Sequence, residues 1–360
     1  TEVLMSLDDC PRTFRMSTLT PKALVSGWNV AGGYDPSIIP KIDGRTVIVK
    51  DLTGLLTSDE RERKTTFGYL RDAFDGEIIR VFGHVRRAYR ARFGFITAVT
   101  PIIDMHAAEM SALGERCLRY YFPVPTSLQD RIEFSARACA NGDRKKEMQG
   151  ELNALAKRAL TRKFERPESP NPELTNSIGY LAEYTARLRG TITRERYTNE
   201  VLHEPFSELL PRLSMQLRAH VMGIAAFRGH DSVAETDYDV VKRVAISSAP
   251  QRAAKMIRGM CLRGIEKEYT RADLSGIVGL PATTVERVAE NMCLLNVLER
   301  RNAGMMTQPR VGLTDEMCEI LQKSRVYETE KCNESGGNGV AEEHLRTKRM
   351  KTKRTKGAGK

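Results

Sequence analysis

The chain has 360 residues, 41% of them hydrophobic and 29% charged, with seven cysteines and a formal net charge of +11. That length allows two or three domains with real cores, and the composition is ordinary for a soluble globular protein. The longest apolar run, Phe93 to Ile103, is too short to span a bilayer and contains Pro101, so no membrane partner is expected. No secretory-signal pattern opens the sequence. The cysteines (10, 117, 139, 261, 293, 318 and 332) form no C-x-x-C pair and have no histidines at zinc spacing. Their odd number and scatter point to reduced thiols and a cytoplasmic location. Arg346 to Lys360 holds eight basic residues and no acid, so the remainder is only about +3.

In chain order, TEVLMSL from Thr1 reads as the first turns of an amphipathic helix with no strand or cap before it, which suggests a polypeptide cut from something longer. A strand is expected at Thr13 to Met16, then a polar link with Thr18, Thr20 and Pro21, then a glycine-rich loop with Gly27, Gly32 and Gly33. The stretch Arg45 to Thr53, RTVIVKDLT, is a continuous apolar run ending in one carboxylate, Asp51. Such a run reads as a strand buried on both faces, as in a parallel sheet. An acid at its carboxyl end faces the crevice where open α/β sheets bind ligands, or simply caps the next helix. Helical periodicity covers Ser58 to Phe74 and closes at Asp75-Gly76. Two hairpin-like runs follow, Glu77 to Phe82 and Val85 to Arg92, joined by Gly83-His84. Phe93 to Thr100, FGFITAVT, is expected to be a second buried strand.

From Val124 to about Pro250 the pattern is helical, interrupted by PESPNPELTN, Pro167 to Asn176, whose prolines exclude a continuous helix. Ser177 to Gly190 and Pro211 to Phe227 carry helix-spaced apolar residues. Tyr269 to Arg301 reads as helix, turn, helix. Thr270 and Asp273 form a capping-box-like start, and Ala272, Leu274, Ile277 and Val278 give a buried stripe. Gly279-Leu280-Pro281 makes the turn, and Thr283 or Thr284 opens a second helix with Val285, Val288 and Met292 inward. Val297 to Arg301, Gly304 and Arg310 to Thr314 suggest a two-stranded wing. Beyond about Val326 the chain turns Gly/Ser/Glu-rich and then basic, without periodicity, and is expected to be a disordered tail that is solvated, targeting or phosphate-clamping.

The order of a helix beginning with Thr, a strand ending in Asp51, the helix LRDAFDGE, a basic hairpin, a strand ending in Thr100 and then LGERCLRYYF resembles the core of AAA+ ATPases. The likeness is to the branch containing minichromosome-maintenance helicases and enhancer-binding activators. It implies an α/β P-loop NTPase core over 1–123, incomplete at its N-terminus, and an α-helical lid over 124–250; the helix-turn-helix and wing separately resemble winged-helix DNA-binding domains, over 251–325, and the disordered basic tail takes 326–360. It implies ATP and Mg²⁺ as cofactors. Asp51 is then the Walker B acid, Thr100 the first sensor, Arg116 the arginine finger and Arg212 the second sensor, with Thr1 the hydroxyl that touches nucleotide and metal just past a phosphate loop. No G-x-x-x-x-G-K occurs in these residues, so tight ATP binding is expected of the intact protein and not of this length alone.

One departure from the family pattern stands out. The Glu that usually follows the Walker B Asp is replaced by Leu52 and Thr53. Asp75 and Glu77 lie in a plausible loop, but a solvated turn is the better account of them. The resemblance also places the basic hairpin in a central pore, where Arg86 and Arg87 flank the tip. The alternative is that these arginines only charge two edge strands against strand addition. In the winged helix, Thr283, Thr284 and Arg287 would enter the major groove, while Arg300, Arg301 and Arg310 would meet phosphates from the wing. The function implied is an ATP-driven DNA-associated motor, a ring-forming replicative helicase of a mobile element. An ATP-gated DNA-binding regulator and a non-hydrolysing scaffold are the alternatives.

Overall fold

A computed structural model of the protein describes residues 2–7, 10–28, 34–106, 116–122, 124–125, 127–192, 194–195, 197–198, 200–203, 205, 207–301 and 309–328. Thr1, Gly304 and the tail past Glu328 lie outside the described residues. The protein is a mixed α/β chain with a parallel three-stranded sheet and many helices. Its contacts group it into two compact units, one made of 1–117, 121–165 and 193–202, the other of 118–120, 166–192 and 203–360.

In the first unit, β1 (Thr13–Met16), β2 (Thr46–Val49) and β5 (Gly94–Thr97) form the parallel sheet with β2 in the middle, Val49 opposite both Met16 and Thr97. Val47, Ile48 and Val49 are all buried, which is why the run carries no alternation. The expectation for β5 needs correcting: Gly94 and Ile96 are exposed. Gly94 and Ile96, two apart, share one face of the strand, and that face is open to solvent. Short helices α1 (Glu2–Met5), α2 (Pro21–Leu24) and α3 (Thr53–Leu56) surround the sheet sequence, and α4 (Glu60–Phe74) is the long crossover helix. Asp59 caps α4 by accepting the Glu62 N–H at 2.9 Å, and Gly76 at φ +94 ends it.

The hairpin β3 (Glu77–Phe82) and β4 (Val85–Arg90) forms as read, with the two-residue loop Gly83-His84 turning at φ +58 on Gly83. Beyond it, α5 (Leu128–Ala140) and α6 (Lys145–Thr161) belong to the same unit and bury no residue.

The second unit begins with α7 (Pro172–Arg189), so the expected loop is shorter than its prolines suggested. Pro172 sits in the first turn, where a missing N–H costs nothing, and Asn171 caps Leu174 N–H at 2.7 Å. α8 (Leu210–Arg228), α9 (Glu235–Ser248) and α10 (Gln251–Arg263) follow. Then come β6 (Tyr269–Thr270), α11 (Arg271–Val278), α12 (Ala282–Leu294), β7 (Leu298–Arg301), β8 (Arg310–Leu313) and α13 (Asp315–Ser324), with sheet order β6-β8-β7. Leu274, Val278, Val285 and Met292 point inward as read, but Ala272 is exposed, two positions and about 200° from Leu274 on the helix. α12 starts at Ala282, ahead of the threonines, because Pro281 serves as its cap residue. Val326 and Tyr327, placed in the tail by sequence, are buried instead: the Tyr327 hydroxyl lies 2.6 Å from that of Tyr184.

Thr270 accepts the Asp273 N–H at 3.2 Å while Asp273 accepts the Thr270 N–H at 2.9 Å, a reciprocal cap that fixes the start of α11. Thr270→Ala is expected to lower stability by about 1 kcal/mol in chemical denaturation, and an unchanged midpoint would remove the cap from the account.

Candidate functional site

The site expected from sequence gathers at the carboxyl ends of β2 and β5. Pairing continues past the strands, since Leu52 N–H donates to Ala98 O at 3.0 Å, so Asp51 and Thr100 lie at one edge of the sheet. Asp51 is exposed, and its Oδ1 accepts the Thr53 N–H at 2.8 Å. This is a local turn bond just ahead of α3, whose cap residue is Leu52 and carries no side-chain capping bond. The nearby Thr53 hydroxyl and then the Thr53 N–H hold the Asp51 carboxyl below its ordinary value, with a further contribution from Lys50. Its other oxygen has no partner among the described residues. Thr100 is exposed and its carbonyl accepts Ile103 N–H at 3.3 Å. Leu52, next to Asp51, is only 4% exposed. Thr1 lies outside the described residues.

Arg116 and Arg212 each sit in a defined ion pair. Arg116 donates to Asp75 Oδ2 at 3.0 Å, and its guanidinium lies 6.0 Å from the Phe74 ring centre. Arg212 in the first turn of α8 donates to Glu208 at 2.6 Å, and Glu208 is shared with the buried Arg189 at 3.3 Å. Glu208 went unremarked in the sequence because nothing local marks it as the hinge of an Arg-Glu-Arg cluster.

Arg86 and Arg87, adjacent on β4, point to opposite faces because side chains alternate along a strand. Arg86 faces outward opposite Val81 and has no partner among the described residues. Arg87 faces inward and is 15% exposed. It donates to the carbonyls of Ser26 at 3.3 Å and Trp28 at 3.4 Å and pairs with Asp35 at 3.6 Å. Tyr89 donates to Asp35 and, at 3.0 Å, to Ser37. Burial works to raise the Asp35 carboxyl, but the bonds from Tyr89 and Ser37 and the Arg87 charge bring it below its ordinary value. The inward arginine thus fastens the loop before β2 to the hairpin. Sequence reasoning missed this cluster; the one available signal was a lone Trp in a polar, glycine-rich loop.

Thr283 and Arg287 are exposed on α12 and Thr284 is half-buried. The same helix carries Glu286, which pairs with Arg271 at 2.7 Å, and Glu290, so its outer face is mixed in charge. Arg300 and Arg310 are exposed, while Arg301 pairs with Glu299 at 2.7 Å. Arg301 and Arg310 both lie 3.9 Å from Glu268.

Among the described residues no three His, Cys, Asp or Glu side chains cluster as a metal cage, and no helix is long and apolar enough to cross a membrane. Comparison with protein families and with curated proteins found no match.

Proposed function

We propose that this chain belongs to an ATP-driven, DNA-associated motor of the AAA+ type, with a P-loop NTPase core, a winged helix and a homo-oligomeric ring as its working form. The observation that carries the proposal is the parallel pairing of β2 with β5, since Asp51 and Thr100 each follow the carboxyl end of one of these adjacent strands. Asp51 fits a Mg²⁺ role: it is exposed, its pKa is lowered so that it is ionised, and one oxygen is uncommitted. A single carboxylate suffices, because Mg²⁺ keeps several waters and takes its remaining ligands from substrate phosphates. Bound Mg²⁺ would offset the charge of the triphosphate. Asp51 would hold it through the oxygen that Thr53 does not occupy, and Thr100 would orient polar groups beside it.

The succession of α10, β6, α11, α12, β7 and β8, with β8 between β6 and β7, supports the winged-helix part. A second reading, an ATP-gated DNA-binding regulator, draws on the buried, apolar Leu52 where a water-orienting acid would be needed. The ion pairs of Arg116 and Arg212 favour it too, since both would have to open before either guanidinium met phosphate. ATP turnover of the intact protein, measured with and without single-stranded DNA and alongside strand separation, tests the proposal. A motor hydrolyses faster with DNA and separates strands. ATP-dependent DNA affinity without stimulated turnover would replace the motor with the regulator, and loss of both would leave a scaffold.

A further inference from the structure

We infer that the outward face of α6 is a self-association surface, on which α6 of a second copy of this chain lies antiparallel about a two-fold axis. The contact is additional to the function proposed above and does not depend on it.

α6 is a helix of 17 residues that buries none of them. A helix of that length is marginal in water by itself, and an amphipathic one is held by whatever covers its apolar stripe. Met148, Leu152, Leu155 and Ala159 recur at spacings of four, three and four, which is the heptad seam of a coiled coil. The first three are 44%, 37% and 51% exposed. Ala156 and Leu160, on the neighbouring flank, are half-buried, so the chain covers one side of the helix and leaves the seam open.

The charges beside the seam select the partner. Glu151 and Arg158, seven residues apart, lie along one edge of it, and neither side chain has a partner among the described residues. In an antiparallel pair of helices that edge meets the same edge of the other copy. Matching Leu152 to the partner's Leu155 then sets Glu151 beside the partner's Arg158 and Arg158 beside the partner's Glu151, while Met148 meets the small Ala159 of the other copy. A parallel pair would set Glu151 against Ala156 and make no ion pair. Closing the same seam on α5 of the same chain would bring Arg131 against Arg158 and put Ser135 opposite Leu152, and Ile132 on α5 is indeed left 55% exposed. A patch that complements itself in this way is what a two-fold interface requires, because one surface serves both copies. From Met148 to Ala159 the seam runs only ~17 Å, so the contact is reversible and not permanent.

Sedimentation equilibrium of the full chain, without nucleotide or DNA and over a range of protein concentrations, tests the inference through a charge swap. The parent is expected to self-associate reversibly, and more weakly at high salt. Glu151→Arg sets like charges together at both symmetric positions and should weaken association about tenfold, and Arg158→Glu should do the same. Mixing the two variants, or combining both substitutions in one chain, should restore association, because either arrangement returns opposite charges to register. Leu152→Glu should abolish it. These positions are exposed, and circular dichroism of each variant checks that the fold is kept. The swap also separates this contact from a ring: a head-to-tail interface joins two different surfaces and is not restored by exchanging two charges on one helix. Single variants that associate like the parent, a mixture as weak as its components, or a chain that stays monomeric at every concentration would each overturn the inference. Mass that rises only when an oligonucleotide is added would assign the face to nucleic acid and overturn it too.

Discussion

In the intact protein, Asp51→Asn is expected to lower ATP turnover by roughly a hundredfold or more, since a metal contact of this kind supplies several kcal/mol of transition-state stabilisation. The substitution is a clean probe. An asparagine oxygen can still accept the Thr53 N–H, so the turn ahead of α3 is kept while the negative charge is removed. The lowered pKa of Asp51 adds a pH signature. A carboxyl held below its ordinary value is ionised throughout the neutral range, so its protonation can depress activity only below about pH 4. Turnover measured against Mg²⁺ concentration and pH checks both points. Wild-type turnover in Asp51→Asn would remove Asp51 from the nucleotide site and leave it the local turn bond to Thr53.

The largest stability effect is expected in the second unit. Tyr238 on α9 is fully buried and donates to Ser177 O on α7 at 3.0 Å and lies 2.9 Å from Ser324 O on α13. Burial pushes its phenol well above the ordinary value, so it stays a donor across any practical pH. Tyr238→Ala opens a cavity and strips both carbonyls of their partner, and about 4 kcal/mol of destabilisation is expected. Tyr238→Phe keeps the ring and should cost about 1–2 kcal/mol. Urea unfolding of the two variants separates cavity from hydrogen bond. Equal costs would mean that the hydroxyl contributes nothing.

Where local chemistry decides the structure, the sequence was readable. The apolar run at β2, the Gly83 turn and the Thr270–Asp273 cap all formed as their residues dictate. Burial of β5 was not readable, because a short apolar run does not tell whether both faces of its strand are covered by a packed layer. The start of α7 was misplaced for a related reason: proline ends one helix and begins another, and only the Asn171 cap tells which. At the candidate site, strand alternation could have separated Arg86 from Arg87. It could not have named Ser26, Trp28 and Asp35 as the partners of the inward one, since those contacts span more than fifty residues.

The buried core of the second unit runs without a break from Leu174 on α7 to Tyr327 past α13, taking in α8 to α12 on the way. Cooperativity follows the core and not the order of motifs. Tyr238 hydrogen-bonds across it to α7 and α13, and Tyr327 meets both Tyr184 and the carbonyl of Ala254. A chain severed at Pro250 would leave each half with an exposed apolar face in place of a domain. The helix-turn-helix segment therefore has no independent melting transition of its own: it folds, and is lost, with the helices that precede it.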